Sequence, residues 1–186
     1  MQYYIYSLVC FLLPGTVWLI WNKGMIADKA YKVRHIIWIY IYLFYGYLAV
    51  QEAAGIGTIW DLIAYGKLDN SINLIPFSSE GAMTYILNII MFMPLGFLLP
   101  LIWKNFRNAK KVVLMGFLMS LAIEICQLFN IRTTDIDDLM MNTLGTLVGY
   151  CCWKVFSLIF RNAGTKCVEM KKSEPVIYMF GGILGL

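Results

Sequence analysis

The sequence predicts an all-α protein: a polytopic membrane helix bundle of about five transmembrane helices, with its N-terminus outside and its C-terminus inside. Three observations lead there. First, 60% of the 186 residues are hydrophobic and 14% are charged, with a mean hydropathy of +0.69, and a soluble domain of this size could not hide so much apolar surface. Second, the charges gather in short clusters between uncharged runs that approach the roughly 20 residues needed to cross a bilayer. Third, successive clusters differ in sign, which orients the chain.

The first run, Tyr3 to Trp21, has no basic residue before it and no small-residue cleavage site, and Lys23 follows it. It therefore reads as an uncleaved span and not as a signal peptide. Lys23, Lys29, Lys32 and Arg34 separate it from the second run, His35 to Val50. The third, Thr84 to Trp103, contains Pro94, which removes a helix hydrogen bond to the Ile90 carbonyl and, with Gly96 nearby, predicts a kink. Lys104, Arg107, Lys110 and Lys111 lead to the fourth, Val112 to Phe129; the fifth, Leu139 to Phe160, is followed by Arg161, Lys166, Lys171 and Lys172.

Lys and Arg beside spans stay preferentially on the cytoplasmic side, so these three basic segments are expected there. The two other connections carry only Lys67 and Arg132 as cations, against Glu52, Asp61, Asp69, Glu80, Asp135, Asp137 and Asp138. They are expected outside the cell membrane. The net charge of +4 is then a topology signal, and no nucleic-acid motif accompanies it. Residues 1–160 form a single transmembrane domain on this reading, and 161–186 a cytoplasmic tail. Its apolar end, Val176 to Leu186, is too short for a sixth span and suits the inner interface.

The outer connection from Gln51 to Met83 contains Ile59, Trp60, Leu62, Ile63 and Tyr65, which suit a short interfacial helix. NLIPF, Asn73 to Phe77, follows; Pro76 holds Ile75 extended, so this segment reads as an interfacial turn or as a lid. The five cysteines lack the paired spacing of a zinc site or a disulfide framework and read as packing residues. His35, the only histidine, is at the inner end of the second span and reads as an ordinary interface residue. A histidine-based triad or metal site at the outer face is therefore hard to build.

Polar residues inside the runs carry the functional reading. Glu124 is costly in hydrocarbon and must face protein, water or a partner. Ser120, Glu124 and Gln127 lie at i, i+4, i+7 on one helical face; Asp138, Asn142, Gly145 and Gly149 make a second stripe. With Asn88 these side chains fall in the outer half of their spans, where they would converge on an outward pocket rimmed by Arg132, Asp135, Asp137 and Asp138. Interhelical hydrogen bonding, with Gly145 and Gly149 as a close-approach pair, is the plainer account. For the aspartates the plainer account is helix capping: Asp135 as N-cap, Asp138 as its capping-box partner. Capping assigns no role to Asp137.

Four segments in this order, NLIPF (73–77), NIIMFMPLG (88–96), SLAIEICQ (120–127) and RTTDIDDLMMNTLG (132–145), resemble the VanZ-like family. The resemblance covers the last three spans and the outer loop, and it implies a bacterial multi-pass membrane protein. Its recurring positions fall here on Asn73, Pro76, Phe77, Asn88, Pro94, Gly96, Glu124, Gln127, Asp135, Asp138, Asn142 and Gly145. The family's name-giving member is associated with teicoplanin resistance, so the resemblance points to the cell envelope and to glycopeptide susceptibility.

The expected ligand-pocket residues are Asn73, Asn88, Glu124, Gln127, Arg132, Asp135, Asp137, Asp138 and Asn142. The expected partners are the lipid bilayer and an amphiphile, either a lipid-linked wall precursor or a lipoglycopeptide. A divalent cation is a possible cofactor, with Asp137, Asp138 and Glu124 as its oxygen ligands. The alternative is a membrane enzyme acting on an envelope lipid, with Glu124 and one aspartate as acid and base. It lacks an evident nucleophile.

Overall fold

A computed structural model describes residues 2–21, 29–53, 72–77, 81–127, 134–160 and 174–184. These form six α-helices: α1 Gln2–Trp21, α2 Lys29–Tyr47, α3 Ala82–Ile102, α4 Ala109–Gln127, α5 Ile136–Ile159 and α6 Glu174–Leu184. The all-α expectation holds, and a helix covers the core of each expected span. Val33–Val50 and Ala82–Ile102 are long and apolar enough to cross a membrane. The expected interfacial helix around Trp60, and Arg132, lie outside the described residues.

The helix ends follow local chemistry. The Asn108 side chain accepts from the Lys110 N–H at 2.9 Å, satisfying one of the donors a helix start leaves open, and α4 begins there. Asp135, in extended conformation, caps α5 by accepting from the Asp137 N–H at 3.0 Å. At the other end of α3, Trp103 turns extended and its N–H still reaches the Leu99 carbonyl. α3 runs unbroken through Pro94 and Pro100. Beside Pro94 lies an apolar groove of about 480 Å³, lined by Ile41 and Tyr45 of α2, Met93, Pro94 and Phe97 of α3, and Cys152 of α5.

α3 and α5 form the most extensive helix pair, and glycines explain how. A Cβ at Gly96 would run into the Thr146 carbonyl, one at Gly145 into the Ile89 carbonyl, and one at Gly149 into the Met93 carbonyl. Backbone meets backbone at all three, the geometry that small residues permit in apolar bundles. α4 closes on α5 with Gly116 against the Thr146 side chain. α1 packs on α2 through Gly15 against Leu43 and Gly46 against Phe11.

The core contains Phe11, Tyr42, Leu43, Phe92, Leu95, Met119 and Ile123. Large apolar side chains also cover the exterior: Leu13, Ile20, Ile37, Phe44, Leu87, Ile90, Leu158 and Ile159 are all at least half exposed. Apolar rows of that extent suit a lipid surround and are unusual on a monomer in water.

The tail is packed onto the bundle: α6 docks against α1 and α2, with Glu174 and Tyr178 fully buried and Met179 nearly so. His35 is correspondingly not an ordinary interface residue, because its ring nitrogen lies 2.9 Å from Glu174 Oε1 in the buried interior.

Candidate functional site

The motif segments meet at one end of the α3–α4–α5 bundle. Two short strands, β1 Ile72–Asn73 and β2 Thr134–Asp135, pair in parallel, placing Asn73 opposite Asp135. The side chains extend the pairing: Asn73 Nδ2 donates to Asp135 Oδ2 at 3.0 Å. Asn73 Oδ1 also accepts from the Ile75 N–H at 3.1 Å, an Asx turn that starts the chain reversal. NLIPF is therefore a folded turn, built on the same aspartate that caps α5.

Asp137, without a role under the capping account, receives one from the tertiary structure. It is fully buried. The Phe77 N–H donates to both of its carboxylate oxygens at 2.9 Å, and Tyr85 Oη donates to Oδ2 at 2.8 Å. Phe77 has φ 60°, a left-handed conformation that is costly for an aromatic residue and needs its surroundings to hold it. Its ring also meets Tyr85 edge-on at 5.9 Å. Asp137 is thus the anchor of the 73–77 turn, while Leu74, Ile75 and Phe77 stay more than 60% exposed. A buried carboxylate holds an exposed apolar knuckle.

Asp138 pairs with α3 and does not complete a capping box: Asn88 Nδ2 donates to its Oδ1. Deeper between α4 and α5, Asn142 Nδ2 donates to Ser120 Oγ at 3.0 Å. Glu124 Oε2 accepts from the Asp135 N–H at 3.3 Å, which ties the buried acid of α4 to the cap of α5. Ser120, Glu124 and Gln127 share one buried face, as their spacing predicts. Asn142 is 2% exposed, and its Oδ1 has no hydrogen-bond partner among the described residues.

The structure thus brings Asn73, Asn88, Glu124, Gln127, Asp135, Asp137, Asp138 and Asn142 to one end of the bundle. Asp137 is engaged by Phe77 and Tyr85, and Asp138 by Asn88, while Glu124 supports the Asp135 backbone. Among the described residues no group of three His, Cys, Asp or Glu side chains is placed to hold a metal ion.

Two contributions escaped the sequence reading. Tyr85 follows NLIPF by eight residues and carries no motif signal of its own. The Phe77 contribution is a backbone N–H, which every residue type but proline possesses.

Comparison with known proteins identifies the family. The family model described as VanZ/LLP1 matches residues 5–158. Protein VanZ of Enterococcus faecium is 34% identical over 125 residues, which is 66% of this chain and 71% of that protein. No solved structure matches the chain significantly. With the family match running from α1 to the end of α5, the chain belongs to the VanZ/LLP1 family.

Proposed function

We propose that this is a multi-pass cell-envelope membrane protein with five spans, N-terminus outside, whose motif end faces outward. There it binds an amphiphile and lowers susceptibility to acylated glycopeptides such as teicoplanin. The observation that carries this reading is the pairing of an exposed apolar turn with buried polar groups directly behind it: Leu74, Ile75 and Phe77 are exposed, and Asp137 holds them. Binding sites for amphiphiles need both an apolar surface and a few placed polar atoms. Asn142 Oδ1, buried and without a partner among the described residues, is an acceptor that a ligand or water donor would satisfy. Alternation of basic and acidic connections supports the outward placement, and family membership supports the envelope role.

The test is expression in a susceptible host. The parent chain raises the inhibitory concentration of teicoplanin above that of an empty vector, and has less effect on a glycopeptide without an acyl chain. Asp137→Asn, at equal membrane abundance, loses most of the protection. Equal inhibitory concentrations for parent and empty vector would defeat the proposal. Protection fully retained by Asp137→Asn would remove the turn from it.

A further inference from the structure

At the end of the bundle away from the motifs, one buried carboxylate collects donors from three elements. Glu174 Oε1 lies 2.9 Å from His35 Nε2 of α2 and accepts from Tyr178 Oη, within α6, at 2.9 Å. Oε2 accepts from Trp103 Nε1, at the C-terminus of α3, at 3.0 Å. Glu174 is 0% exposed and His35 4%. Around this polar point the contact is aromatic: Trp103 packs on Tyr42 at 5.1 Å and on Tyr178 at 6.4 Å. One turn further, Met179 closes a small cavity shared with Phe11, Tyr42, Tyr45, Leu95 and Met119.

We propose that α6 is a separable strap: it seats on and lifts from the bundle as a unit, with Glu174 as the key that holds it down. Two features of the structure argue for a separable unit. α6 packs mainly on α1 and α2 and reaches α3 and α4 only at Trp103 and around Met179, at the end of those helices away from Asn88, Glu124 and Asp138. It also lies beyond residue 158, where the family match ends. The hold is concentrated because a buried carboxylate is tolerated only while its donors stay in place. Losing any one donor weakens the whole seat. When the strap lifts, the aromatic cavity behind Met179 opens.

Amide hydrogen exchange of the full-length protein in nanodiscs, read by mass spectrometry, tests this, because local opening appears as exchange confined to one segment. Glu174→Gln keeps the shape and removes the charge. It is expected to accelerate exchange over residues 174–184 by about tenfold or more, the scale of losing a hydrogen bond to a charged group, while α3 and α5 peptides keep parental rates. His35→Gln should accelerate the same segment from a position 139 residues away in sequence, which a change in α6 helix propensity alone would not do. Tyr178→Phe, keeping the ring and losing one donor, should give a smaller acceleration. Parental exchange of α6 in both Glu174→Gln and His35→Gln would overturn the proposal. Acceleration of all helices together would also overturn it, since α6 would then be part of the global core.

Discussion

Asp137 shows what a single residue can hold in this chain. Its carboxylate is shared between the Phe77 N–H and the Tyr85 hydroxyl, and hydrogen bonds to a charged group contribute about 1.5–3 kcal/mol each. Tyr85→Phe should therefore loosen the 73–77 turn without unfolding the bundle: hydrogen exchange at Phe77 rises and the midpoint of thermal unfolding falls slightly. Phe77→Gly separates the backbone from the ring. It relieves the positive φ but loses the edge-on contact to Tyr85, so it should retain the bond to Asp137 and lose the apolar knuckle. If the amphiphile reading holds, that variant keeps its stability to within about 1 kcal/mol, the scale of such a glycine effect, and loses protection. The sequence singled out Asp137 as the aspartate that capping could not explain. What it lacked was the partner, 60 residues away.

Among the helices, the α3–α5 pair is the element on which the site depends. Asn88 sits on α3 and Asp138 on α5, so their contact exists only because Gly96, Gly145 and Gly149 let the two backbones approach. Gly145→Leu places a branched side chain against the Ile89 carbonyl. Overpacking of this kind costs about 1–3 kcal/mol, and here the obstacle is backbone, which cannot swing aside. The variant should show a lowered melting midpoint and an increased exchange rate along both α3 and α5. The stripe of Asp138, Asn142, Gly145 and Gly149 was legible from its spacing, because helical periodicity fixes which residues share a face. Which helix that face meets was not legible. A Gly-rich stripe fits any neighbour that comes close enough.

For the molecule as a whole, the proposed outward placement of the motif end, which rests on the charges of its connections, predicts reporter activity directly. An alkaline phosphatase fusion after residue 80 should be active, and one after residue 108 inactive, because the phosphatase needs the oxidising outer compartment. The reverse pattern would place the motif segments in the cytoplasm. Length and composition alone qualify α2 and α3 as bilayer crossings, so the fusions also test the five-span count.

The sequence by itself determined the helical class, the approximate course of five apolar helices, the shared face of Ser120, Glu124 and Gln127, and the family. These depend on composition, run length and periodicity, which are local properties of a chain. Only the tertiary structure decided that NLIPF is anchored on Asp135 and Asp137, that Asp138 belongs to Asn88, and that the tail is seated in the bundle through Glu174 and His35. Each of those is a pairing between groups 50 or more residues apart. An aspartate has the same formula whether it caps a helix, binds an ion or holds a loop, and the donors folded against it decide which.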